Sequence, residues 1–125
     1  MEPKNRQGIR TYRDLVAWQK SMDLAEAVYQ ATRPFPDEER FGLTAQMRRC
    51  AVSIPSNIAE GFGRSRKTEF KRFLEIAKGG LFEFQTQAEV VRRLRFLKGD
   101  ALSALRSLAQ EVDALVTALL RSQRR

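Results

Sequence analysis

The chemistry-bearing side chains of this chain are above all its arginines. Of 23 basic residues, 17 are Arg, and there is no histidine. A guanidinium presents a planar fork of donors that matches phosphate oxygens, so this excess suits a polyanion better than lysine would. Eleven of the cations fall in three runs: Arg6, Arg10 and Arg13; then Arg64, Arg66, Lys67, Lys71 and Arg72; then Arg121, Arg124 and Arg125. Residues 1–14, 61–72 and 121–125 carry net charges of +2, +4 and +3, against +8 for the whole chain. The aromatics of the middle run are Phe62 and a helix-facing Phe70. No base-stacking platform is expected, so contact should be to the backbone of RNA or DNA and not to its bases.

A second constellation is the stretch Ser53-Ile-Pro-Ser-Asn-Ile-Ala-Glu-Gly61. Pro55 interrupts an apolar, helix-like pattern, and Ser53, Asn57 and Glu60 surround it. One reading makes Asn57 and Glu60 a ligand or subunit contact. The preferred one has the small polar residues repair a proline kink while Glu60 pairs with a nearby Arg. A carboxylate metal cluster of Glu60 with Glu69, Glu75 or Asp14 has no support in the spacing. With no His, both Ser-His-Asp and Cys-His catalysis are excluded. With Cys50 as the one cysteine, an intrachain disulfide is excluded and zinc or copper is not expected. No cofactor is called for, and the chain reads as a non-enzyme.

These residues must be positioned by helices. Helix 1 is expected over about 14–32, capped by Asp14, with Leu15, Trp18, Met22, Ala25 and Tyr29 as its core seam at steps of 3 and 4. It should stop before Pro34. Helix 2, about 38–61, carries Leu43, Met47, Cys50 or Ala51, Ile54 and Ile58; it should bend at Pro55 and end with Gly61 as its C′ residue. Helix 3, about 67–97, opens with Ser65 or Thr68 as cap and holds Gly79-Gly80 midway, where another helix could approach closely. Helix 4, about 100–122, has a wide stripe from Leu102 to Leu119. Trp18 and Cys50 read as core. Arg48 and Arg49 face either outward or across a subunit interface.

The sequence therefore predicts an all-α, antiparallel up-down-up-down four-helix bundle over residues 14–125, preceded by a basic arm at 1–13. A three-helix fold would follow only if helix 2 broke at Pro55. At 125 residues one domain is expected. No apolar run is long enough for a membrane span, and the N-terminal residues do not resemble a secretory signal, so cytoplasm and no membrane partner are expected. In this topology the three basic runs share one end. The opposite run, Arg92, Arg93, Arg95 and Lys98, is expected to be balanced by Asp37, Glu38 and Glu39 across the turns.

Four segments carry a resemblance: Asp14-Leu-Val-Ala-Trp-Gln-Lys20, Glu39-Arg-Phe-Gly-Leu-Thr-Ala-Gln-Met-Arg-Arg49, Ser53-Ile-Pro-Ser-Asn-Ile-Ala-Glu-Gly-Phe-Gly-Arg64 and Glu69-Phe-Lys-Arg-Phe-Leu-Glu-Ile-Ala77. In order, they resemble the four-helix bundle proteins of the 23S rRNA intervening-sequence family. The resemblance implies a homopentamer around a central pore and a link to nucleic acid. It also implies kinship in fold with the accessory variability protein of diversity-generating retroelements, which works with a reverse transcriptase and template RNA. It implies no catalytic residue. A pentamer would gather five basic ends into one rim, and Gly79-Gly80 with the broad face of helix 4 would be places of subunit approach. The expected function is nucleic-acid binding as an accessory subunit; the alternative is a protein-interaction scaffold whose charge serves solubility.

Overall fold

Four α-helices carry the chain: α1 (Val16–Thr32), α2 (Leu43–Phe62), α3 (Lys67–Leu94) and α4 (Gly99–Ser122). Short 3-10 turns, Tyr12–Asp14 and Asp37–Glu39, precede α1 and α2. The structure is a computed structural model that describes residues 8–123, among which there is no strand. Helix α2 packs on α3 and on α1, and α4 packs on α3 and on α1, while the two diagonal pairs do not approach. The helices thus close around one core, in which Leu24, Met47, Ile54, Ile58, Leu74, Leu81 and Phe84 are fully buried. Burying each such side chain contributes about 1.5–3 kcal/mol.

The core face of α1 differs from the expected seam. The buried residues are Ala17, Ser21, Leu24, Ala25, Val28 and Thr32. Of the expected seam, Met22 and Tyr29 are 44% and 43% exposed, and Trp18 is half-buried at the edge. The chain buries a stripe containing two hydroxyls because both satisfy themselves within the helix. Ser21 donates to the Trp18 carbonyl at 2.8 Å and Thr32 to the Val28 carbonyl at 2.8 Å. The cap differs too. Asp14 does not cap α1; it closes the preceding turn by accepting from the N–H groups of Arg10 and Thr11. Leu15 stands at the α1 N-cap without a side-chain bond.

Helix α2 runs unbroken through Pro55, which is buried inside it. It begins at Leu43, later than expected, because Asp37–Glu39 forms its own turn and Glu39 then accepts from the Leu43 N–H at 3.0 Å. It also passes through Gly61, which is therefore not a C′ residue. A Cβ on Gly61 would lie 2.5 Å from the Phe73 Cβ, so the glycine lets α2 and α3 approach. A second close approach lies at Gly80, where a Cβ would meet Ile54 Cγ1 at 3.2 Å. Its neighbour Gly79 faces open space. The Cys50 thiol donates to the Gly80 carbonyl at 3.2 Å. Burial, with Glu83 adding to it, pushes that thiol up to about 12.

Helix α3 stops at Leu94, short of the expected 97, because Arg95 turns left-handed with φ 62° and its N–H closes back on the last turn. Arg66, and neither Ser65 nor Thr68, occupies its N-cap position. The Phe35 and Phe96 rings, 5.5 Å apart, join the turn after α1 to the turn after α3. Polar ties connect the helices further: Lys78 reaches Asp113 at 2.6 Å and Thr117 at 2.8 Å, and Lys20 reaches Glu111 at 3.6 Å. No helix among the described residues is long and apolar enough to cross a membrane.

Candidate nucleic-acid interface

The middle basic run occupies the connector from α2 to α3 and the first turns of α3. Phe62 and Phe70 meet edge-to-face at 5.8 Å and pin the two ends of the connector together. The guanidinium groups of Arg64 and Arg72 both lie over the Phe73 ring, 5.0 and 4.6 Å from its centre. Phe73 itself is fixed against Gly61. The close helix contact thus sets the position of both arginines. Arg64 pairs with Glu60 at 2.8 Å and Arg72 with Glu69 at 3.4 Å, both exposed pairs. Such pairs are worth about 0–1 kcal/mol and exchange readily for a phosphate. Arg66 and Lys71 have no carboxylate within ion-pair distance among the described residues. The run stands at the α3 N-terminus, where the helix dipole already favours an anion.

Arg10 precedes the turn before α1 and Arg13 lies within it. The Arg13 guanidinium lies 5.4 Å from the Tyr12 ring centre and 5.6 Å from that of Trp18, and those rings meet edge-on at 5.0 Å. Arg121 is exposed in the last turn of α4. Arg6, Arg124 and Arg125 lie outside the described residues.

In the proline stretch, the bonds formed are local. Ser53 donates to the Cys50 carbonyl at 2.7 Å, Ser56 to Val52 at 2.8 Å, and Asn57 to Ser53 at 2.8 Å. The first two serve the carbonyls on either side of that of Ala51, the one Pro55 leaves without its helical donor, and the third serves the Ser53 carbonyl one residue further on. With Glu60 held by Arg64, this stretch supports the helix and the connector.

The run at the end of α3 is balanced differently than expected. Glu89, on its own helix, accepts from Arg92 at 2.7 and 3.0 Å, from Arg93 at 3.0 Å and from Arg106 of α4 at 2.9 Å. These bonds hold its carboxyl well below the usual carboxylate range and raise Arg92 in turn. Asp37–Glu39 is not the partner.

One surface escaped the sequence reading. Phe41 is 85% exposed with Arg40 over its ring at 4.9 Å, and Arg48 lies over Tyr29 at 4.6 Å while donating to Thr32 Oγ1 at 2.8 Å. These side chains, with Arg49 and Val52, line an open groove of about 490 Å³ between α1 and α2. Val52 also lines the next groove, about 360 Å³, between Trp18, Met22 and Pro55, Ala59. The signal was present as the second 3–4 stripe of α1, read as its core seam.

The family model described as 23S rRNA-intervening sequence protein matches residues 13–118. The chain belongs to the 23S rRNA-intervening sequence protein family. The matched span covers all of α1–α3, both connectors between them and most of α4, so the Arg64–Arg72 run and the α1–α2 groove both lie within the family's own segment. A comparison with curated proteins finds no match.

Proposed function

We propose that this 23S rRNA-intervening sequence family protein is a non-enzymatic, cytoplasmic binder of the RNA or DNA backbone, acting as a homopentamer. Its unit is an antiparallel up-down-up-down bundle with α2 bent at Pro55. The helix pairings support that order: Gly61 meets Phe73 while Ile54 meets Gly80, and Lys78 meets Asp113 while Glu89 meets Arg106. Partner numbers fall along one helix as they rise along the other. The observation that carries the function is the exposed run Arg64–Arg72, five cations against Glu69, at the dipole-positive start of α3. The family description, with its reference to ribosomal RNA, points the same way. Its role is that of an accessory subunit of a ribonucleoprotein, of which a reverse transcriptase complex is one instance.

Salt titration tests this. Neutralising five phosphates per subunit gives a log–log slope of affinity against salt of about −3.5 to −4.5. Reversing the charge of Arg64, Arg66, Lys67, Lys71 and Arg72 together should abolish binding with the circular dichroism spectrum unchanged. Affinity insensitive to salt, or no binding at low salt, refutes the proposal. The exposed α1–α2 groove favours the second reading, a protein scaffold; recovery of an acidic partner after nuclease treatment would support it.

A further inference from the structure

The face formed by α1, α2 and the turns before them carries arginines stacked on aromatic rings at both of its ends. At one end Arg40 lies over Phe41 and Arg48 over Tyr29; at the other Arg13 lies within 5.6 Å of the ring centres of Tyr12 and Trp18. The two α1–α2 grooves join these ends, and Val52 lines both. No carboxylate lines either groove. Arg40, Arg48 and Arg49 have no ion-pair partner among the described residues, whereas Arg64, Arg72 and Arg106 each have one. We propose that this face binds single-stranded nucleic acid, with bases stacked on Phe41 and Tyr29 and phosphates held by Arg40, Arg48 and Arg49. This rests on the nucleic-acid reading above and adds to it a second contact of a different kind, since the Arg64–Arg72 run meets backbone alone.

An apolar floor by itself would suit a protein partner, and three observations favour a single strand instead. The first is the state of the rings. Phe41 is 85% exposed although Arg40 covers part of it, so ring surface remains open to a base. Every base has a π-face, so such stacking tolerates any sequence, and a guanidinium beside the ring adds to it. The second is the sign of the charge. Arg40, Arg48 and Arg49 line the upper groove with no anion among them. A polyanion answers that pattern along its whole length, whereas a protein would have to bring a carboxylate to each guanidinium. The third is the path. Tyr12 and Ala59 line the same groove, and Ala59 stands one turn before Phe62 and the connector that carries Arg64. A strand held by the basic run therefore passes into the groove without a gap. From Ala59 to Thr44, α2 offers it a track about 22 Å long. A duplex keeps its bases inside and cannot use the rings, so the face selects single strands.

The test measures fluorescence anisotropy of the full chain with two probes, a single-stranded RNA of about 12 nucleotides and a duplex of the same sequence. Phe41→Ala should weaken single-strand binding about 10-fold and leave duplex binding unchanged. Its salt dependence should also be unchanged, because the variant removes a ring and no charge. Phe41→Trp should restore single-strand binding. Arg40→Gln with Arg49→Gln should flatten the log–log salt slope for the single strand by about 1.4, at about 0.7 for each lost phosphate contact. Circular dichroism checks that each variant folds, and sedimentation of Phe41→Ala should match wild type. If wild type binds both probes in a salt-dependent way and Phe41→Ala binds the single strand as tightly, this proposal fails and the backbone reading stands. Equal losses for single strand and duplex overturn it too, since stacking is open to the single strand alone. A Phe41→Ala variant that sediments lighter than wild type makes the face a protein contact and also overturns it. A wild type that binds neither probe overturns both readings.

Discussion

On one flank of α2, Cys50 bonds to α3, and Ile54 and Gly61 stand where a Cβ on Gly80 or Gly61 would crowd the facing helix. On the other, Val52, Pro55 and Ala59 look across an open groove toward Trp18 and Met22 of α1. Both flanks come from one stretch of sequence. The closed flank is explained by the fold: a glycine where two backbones approach, and an isoleucine that fills the gap at Gly80. The fold leaves the open flank unexplained, since nothing among the described residues covers it. A run of residues that looks uniform in sequence thus divides into a half used for folding and a half available for contact.

Substitution separates the halves. Ile54→Ala should cost about 2–5 kcal/mol in urea unfolding, whereas Val52→Ala, one turn-face away, should stay within about 0.5 kcal/mol for the monomer. Equal costs would erase the distinction. Gly61→Ala should cost about 1–3 kcal/mol, because the Phe73 Cβ cannot move aside as a flexible tip would. Gly79→Ala should act in the opposite direction and gain about 1 kcal/mol in the isolated chain, as its site is open and helical. Cys50 reports on the closed flank through pH. Folding keeps its proton on up to about 12, above the ordinary value of 9.0. Its contribution is therefore complete below pH 9 and is lost as pH rises from there toward 12. The stability gap between wild type and Cys50→Ala should narrow over that interval.

The patterns of α2, α3 and α4 were legible because their core positions are large and apolar at helical spacing. Helix α1 misled because its core face holds Ser21 and Thr32, whose hydroxyls vanish into the helix backbone, while its bulkier residues face the groove. The basic run at Arg64–Arg72 was legible as charge. Its dependence on Phe73 was not, since that requires the α2–α3 contact. Glu89 was missed for a similar reason: one carboxylate receiving three arginines needs two helices in place. The Arg48–Tyr29 stack joins α2 to α1, which no local pattern links, and the neighbouring Arg40–Phe41 stack lies in the turn before α2.

The self-satisfied hydroxyls of α1 have a further consequence. With Ala17, Ser21, Ala25 and Thr32 among its buried positions, α1 commits less apolar volume to the core than α3 does with Phe73, Leu74, Leu81 and Phe84. Its amides should be the first of the four helices to exchange with deuterium, through local opening and not global unfolding. A partner seated in the groove would touch α1 directly, so occupancy would slow that exchange first. Helix α1 would then register whether a given molecule is alone or assembled.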